Sequence, residues 1–210
     1  RPVYKVNKGS SIYRGRKIGG TTCYEDIKND PSKELGPPPP GKAVNGRMSA
    51  QHISVFYGSL TSDLAVCELQ PFIGENIVVG KFTANEDIKV FDFTVYDKIF
   101  DEKYDNKESI DVGTRYEVLS HMQDEVSQPF HPDDRTLEYI PTQIVSEYIK
   151  EKFEVDAIIY FSSLVSKKEG FDRRNMVVFN YKKLEINSSG VTLRRIKDIN
   201  YSIESEDDRI

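Results

Sequence analysis

Arg47, Tyr57 and Glu68 fall in one stretch, GRMSAQHISVFYGSLTSDLAVCEL, spaced by ten and eleven residues. Glu68 is the residue that asks for a reason. It follows Leu64, Ala65, Val66 and Cys67 on what reads as a buried helix face. A buried carboxylate is costly unless it is paired or hydrogen-bonded. It also sits near the C-terminal end of that helix, where the helix dipole disfavours negative charge. Far downstream, DAIIYFSS places Ser162 and Ser163 just past a buried strand, and strand ends commonly carry site residues in sheet-based folds. A guanidinium, a phenol, a carboxylate and a hydroxyl together can grip an anion, wall in a flat group, stabilise positive charge and hydrogen-bond a ligand.

Taken singly, each has an ordinary explanation. Arg47 could be a loop arginine paired with one of many acids, Tyr57 a packing residue, Glu68 a solvated helix-end acid, and Ser162 the closure of a turn. Arg14 and Arg16, at the end of SIYRGR, could simply solubilise an edge strand.

The elements around these residues read as follows. SIYRGR is a strand. Residues 20–46 form a long Pro/Gly-rich loop, with Pro37 to Pro40 in a polyproline II run that delivers the chain stiffly to Arg47. ISVFYGS is a strand, and TSDLAVCELQ is a helix capped by Thr61 or Ser62. NIVVGKFTAN and DIKVFDFT are strands, and TRYEVLSHMQDEVSQ is a helix. PTQIVSEYIKEKF is a further helix with Pro141 in its first turn and an apolar face of Ile144, Val145, Tyr148, Ile149 and Phe153. VDAIIYF, NMVVFNYKKLEI and VTLRRIKDINYSI complete the strands. Strands outnumber helices without regular alternation, so the fold class is α+β, a compact mixed sheet with flanking helices. No glycine-rich dinucleotide fingerprint follows a strand. The 210 residues read as a single domain, frayed at 1–10 and 203–210.

Composition excludes several classes. A net charge of −5 does not fit a general nucleic-acid binder. No apolar run approaches the ~18 residues of a membrane span, and the opening RPVYKVNKGSS lacks a signal-peptide core. Cys23 and Cys67 have no metal or disulfide spacing, and the three histidines are scattered, so no metal centre is expected. These features together read as a cytoplasmic protein.

The pieces IYRGR, ELGPPPP, GRMSAQHISVFYGS, DLAVCEL, YIPTQIVSEYIK and DAIIYFSS together resemble the RES domain, named for its arginine, glutamate and serine. The resemblance covers most of the chain and places the family's Arg, Tyr, Glu and Ser on Arg47, Tyr57, Glu68 and Ser162. Ser162 is preferred to Ser163 because the family serine lies two residues after the strand tyrosine, here Tyr160. Ala157 stands where the family often has glycine. The resemblance implies an ADP-ribosyltransferase-like fold. It implies NAD as substrate rather than cofactor, and a toxin held off by an Xre-type helix-turn-helix antitoxin. In that chemistry Arg47, with Arg14 second, would grip the pyrophosphate. Tyr57 would hold the nicotinamide ribose. Glu68 would stabilise the oxocarbenium-like ribose, as in glycosidases. Ser162 would hydrogen-bond a phosphate, a ribose hydroxyl or the nicotinamide amide. The alternatives are a protein ADP-ribosyltransferase and, from another class, a nucleotide-binding or interaction module without turnover.

Overall fold

A computed structural model describes residues 2–19, 23–95, 121–122, 135–165 and 170–200. The expected helix over 114–128 lies outside the described residues except at 121–122, and the tail from 201 lies outside them too.

The strands are β1 (Val3–Val6), β2 (Ser11–Lys17), β3 (Phe56–Ser59), β4 (Asn76–Ala84), β5 (Ile88–Asp92), β6 (Ala157–Phe161), β7 (Arg174–Val178), β8 (Leu184–Glu185) and β9 (Val191–Arg195). The helices are α1 (Tyr24–Asn29), α2 (Pro31–Leu35), α3 (Ser62–Cys67) and α4 (Arg135–Phe153). The described strands form one sheet in the order β1-β5-β6-β7-β3-β2-β4-β8, with β9 also paired to β4. Only β5 and β6 run parallel, with α4 on the crossover between them. The mixed α+β sheet expected from the sequence is what the chain adopts.

Period-two alternation divides the sheet into two faces. On one face Ile12, Phe56, Val78, Phe82, Ile159, Met176 and Val178 pack against Ile27 of α1 and Leu35 of α2. On the other, Val177, Ile158 and Tyr160 meet Ile149 of α4, while Ile77 and Val79 meet Ala65 of α3. The second face carries the site.

Four local expectations are corrected. Residues 3–6, expected to fray, form β1 along β5; the Tyr4 hydroxyl donates to Asp92 at 2.7 Å and pins the strand. The 20–46 loop contains α1 and α2. Cys23 caps the first through its Sγ, and Asp30 caps the second ahead of Pro31. The fourth helix begins at Arg135, so Pro141 lies inside it rather than in its first turn. Its buried face is Thr142, Ser146 and Ile149, with Val145 half-buried, whereas Ile144 and Tyr148 stay exposed. The helix is rotated because it presses against polar backbone of the Arg47 loop, not against a purely apolar surface.

Close approach of α3 to β2 depends on Gly15. A Cβ there would lie 2.7 Å from the Ala65 carbonyl oxygen and 2.8 Å from Leu69 Cδ1. Gly15→Ala is therefore expected to push α3 outward and destabilise the protein by about 1–3 kcal/mol. Urea denaturation checks this; an unchanged midpoint would show that the helix yields without cost.

Candidate active site

The pocket floor is one register row across four adjacent strands. Tyr160 of β6 is opposite Asn175 of β7, Asn175 is opposite Ser59 of β3, and Ser59 is opposite Tyr13 of β2. Directly opposed residues face the same side of a sheet. These four, with Tyr57, Ala65, Glu68 and Leu69, line a pocket of about 310 Å³, near the lower end of the ~300–1,000 Å³ typical of ligand sites.

Glu68 arrives from above. Thr61 caps α3 by accepting from Leu64 N at 3.3 Å, and Glu68 closes the helix as its C-cap, donating its backbone N–H to the Leu64 carbonyl. The carboxylate thus sits at the unfavourable end of a helix. Two donors offset that position. Ser162 Oγ donates to Glu68 Oε1 at 2.5 Å, and Asn175 Nδ2 donates to the same oxygen at 2.7 Å. Glu68 Oε2 accepts no hydrogen bond from the described residues.

Ser162 lies one residue beyond β6, buried, with its backbone N–H donating to the Arg173 carbonyl. Its Oγ also accepts from Leu164 N at 3.1 Å. Ser162 therefore does not line the pocket; it holds Glu68 from behind.

Tyr57 anchors the loop that carries Arg47. Its hydroxyl accepts from Met48 N at 3.0 Å and lies 3.1 Å from Ser49 Oγ. Burial pushes the phenol's pKa up, while these two bonds and Arg47 act against the rise. Helix α4 clamps the loop from the other side. Thr142 donates to the Arg47 carbonyl, Gln143 to the Gly46 carbonyl and Ser146 to the Met48 carbonyl, at 2.6, 2.7 and 2.9 Å. The Arg47 guanidinium reaches Ser163 Oγ at 3.5 Å. It does not line the pocket but is near enough to lower the pKa of both Tyr57 and Tyr160. Burial dominates at Tyr160 and raises its pKa, with Tyr57 and Glu68 adding to the rise.

Arg14 is the candidate that the fold separates from the rest. Its neighbour Tyr13 faces the pocket, so alternation sends the Arg14 side chain to the opposite face. There its Cζ lies 5.3 Å from the centre of the Phe56 ring. Arg14 is among the residues that line the pocket, while its guanidinium is turned to Phe56. Nη1 is buried with no hydrogen-bond partner among the described residues. Burial, and then Arg16, lower its pKa to about 10.

Tyr57, Glu68 and Ser162 are thus brought together, Arg47 borders them, and Arg14 is across the sheet. Sequence reasoning missed Asn175 and Ser59. The available signal was a polar residue at one end of each of two buried runs, Asn175 opening NMVVF and Ser59 closing FYGS. Among the described residues no group of three His, Cys, Asp or Glu could hold a metal ion, and no helix is long and apolar enough to cross a membrane.

Fold and site define an α+β domain whose sheet face carries a hydrogen-bonded carboxylate in a pocket walled by tyrosines. The RES domain pattern matches residues 24–197, and the chain belongs to the RES domain family. No curated protein matches the chain. A solved structure similar to it is the M. tuberculosis MbcT–MbcA toxin–antitoxin complex, at 8% identity and a TM-score of 0.43, covering 92% of this chain and 87% of that one.

Proposed function

We propose that this protein is a toxin that consumes NAD by cleaving its nicotinamide–ribose bond. The observation that carries the reading is Glu68: a carboxylate in the pocket wall, held on Oε1 by two donors, with no donor on Oε2 among the described residues. Family membership supports NAD as the substrate and a toxin as the context.

Departure of nicotinamide leaves positive charge on the ribose. A fixed carboxylate at that point lowers the barrier without reorganising during the reaction. The free Oε2 of Glu68 would face that charge or orient the attacking nucleophile. Tyr57 and Tyr160 would supply the aromatic walls for the nicotinamide and its ribose. Arg47, at the Ser163 border, would take the pyrophosphate. Ser162 serves Glu68 rather than the substrate. The partner proposed is an antitoxin of the Xre type, and the setting is the cytoplasm.

The test is incubation of the purified protein with NAD, with and without phosphate, and identification of the products by mass spectrometry. Nicotinamide is expected without any protein acceptor, and the second product distinguishes hydrolysis from phosphorolysis. Nicotinamide released only when a target protein is added would replace this reading with ADP-ribosyl transfer. NAD left intact for hours at high protein concentration would leave a binding module. In cells, expression without the antitoxin is expected to lower NAD and arrest growth.

A further inference from the structure

We infer that Asn175, oriented by Ser59, is the positioning residue that fixes Glu68 with one oxygen held and the other free. The inference rests on the reading of Glu68 as the charge-stabilising carboxylate.

Asn175 is the second residue of β7, after Arg174 and ahead of the apolar run Met176–Val178, and it is buried. A primary amide there is costly unless its polar atoms are satisfied. Both ends are used. Ser59 Oγ donates to Asn175 Oδ1 at 2.7 Å, and Asn175 Nδ2 donates to Glu68 Oε1 at 2.7 Å. This polarity has a chemical cause. An ionised carboxylate only accepts, so the amide must present its N–H to Glu68; its oxygen must then accept, and the Ser59 hydroxyl must donate. Rotating the amide by half a turn would set its oxygen against the Glu68 oxygen. Ser59 therefore locks the amide's direction, and the amide locks the carboxylate. The β3–β7 register places Ser59 and Asn175 directly opposite each other, so the relay is built into strand pairing rather than into a loop.

Ser162 and Asn175 approach from neighbouring strand ends and bond the same oxygen. With one donor alone, the carboxylate could pivot about that bond. With two, its plane is set and Oε2 is the oxygen left for the substrate. Misplacing a reacting group by about 1 Å can slow a reaction by about 100-fold.

The experiment is a set of double-mutant cycles on nicotinamide release, with melting curves to confirm folding. Asn175→Ala is expected to lower kcat by about 10- to 100-fold while KM for NAD stays within about twofold. In a Glu68→Gln background the same change is expected to do almost nothing, because the two residues act as a unit. Ser59→Ala is expected to lower kcat by a smaller factor, and to add nothing once Asn175 is alanine. It also carries the test if Asn175→Ala does not fold. A full additive loss in the Glu68→Gln background would overturn the proposal. A crystal structure of Asn175→Ala, or of Ser59→Ala if the former does not fold, decides the point independently of turnover. The Glu68 carboxylate is expected to leave its position or split between conformers. If it stays fixed on Ser162 alone, the proposal is overturned. If the wild type leaves NAD intact, the proposed reaction fails, while the crystal structure still decides whether Asn175 positions Glu68.

Discussion

Glu68→Gln is expected to slow nicotinamide release by about 100-fold or more, a barrier increase of about 2.7 kcal/mol. Glutamine keeps the length of the side chain, and its carbonyl can still accept from Ser162 and Asn175. The amide nitrogen must then occupy the position of Oε2. Where the carboxylate offered negative charge to a developing cation, the variant offers N–H dipoles of the wrong sign. Because the two hydrogen bonds that hold the group are preserved, NAD binding and thermal stability should change little. The signature is a fall in kcat with KM nearly constant. Steady-state kinetics with nicotinamide detection measures it, and wild-type turnover in the variant would reduce Glu68 to a structural acid.

Arg14→Met is expected to raise stability by about 1–2 kcal/mol and to leave NAD turnover within about twofold. Nη1 of Arg14 is buried without a hydrogen-bond partner among the described residues, so the folded state carries a poorly solvated cation. Folding lowers its pKa from the ordinary guanidinium value to about 10. For a base whose pKa falls on folding, the penalty is fully present below the folded value and fades as pH rises from about 10 towards the ordinary guanidinium value. At neutral pH the whole penalty applies. Methionine fills a similar volume, and the main loss is the cation's contact with Phe56, worth about 2 kcal/mol at a desolvated site, against the several kcal/mol that burying an uncompensated cation costs. Chemical denaturation and a parallel NAD assay decide the matter. A large rise in KM would mean that the guanidinium reaches the pocket after all, as the sequence alone leads one to expect.

That contrast shows what was and was not legible in the sequence. The N-cap at Thr61, the apolar run after it and the acid at its end are local signals, and α3 with Glu68 at its terminus follows from them. Ser162 just beyond a buried strand was legible for the same reason. Arg14 was not. Its residue type suits an anion, but which face of the sheet it occupies depends on a parity fixed only by pairing with β3 and β4. Asn175 and Ser59 are meaningful only as a pair. Their opposition is a matter of register between strands far apart in the chain, and a shift by one residue would turn both away from the site. In the 20–46 region the caps at Cys23 and Asp30 were present, but abundant proline and glycine outweighed them. Residues 3–6 had no local strand signal strong enough to overcome their polar surroundings; β5 supplies it.

The row of side chains under the pocket has a consequence for how the protein is made. Its members come from β2, β3, β6 and β7, and Ser59 and Asn175 are 116 residues apart in the chain. Nothing shorter than a chain running through Val178 can assemble the floor or hold Glu68 on both donors. Emerging from a ribosome, the polypeptide displays α3 and its acid early, as a chemically idle fragment. Stalled products and fragments ending upstream of β7 lack Asn175 and its bond to Glu68, and on the proposed reading they are expected to leave NAD intact. β7 lies between β6 and β3, so the floor is complete only once β7 has been synthesised and has paired with both, and chain length itself sets when the pocket can exist.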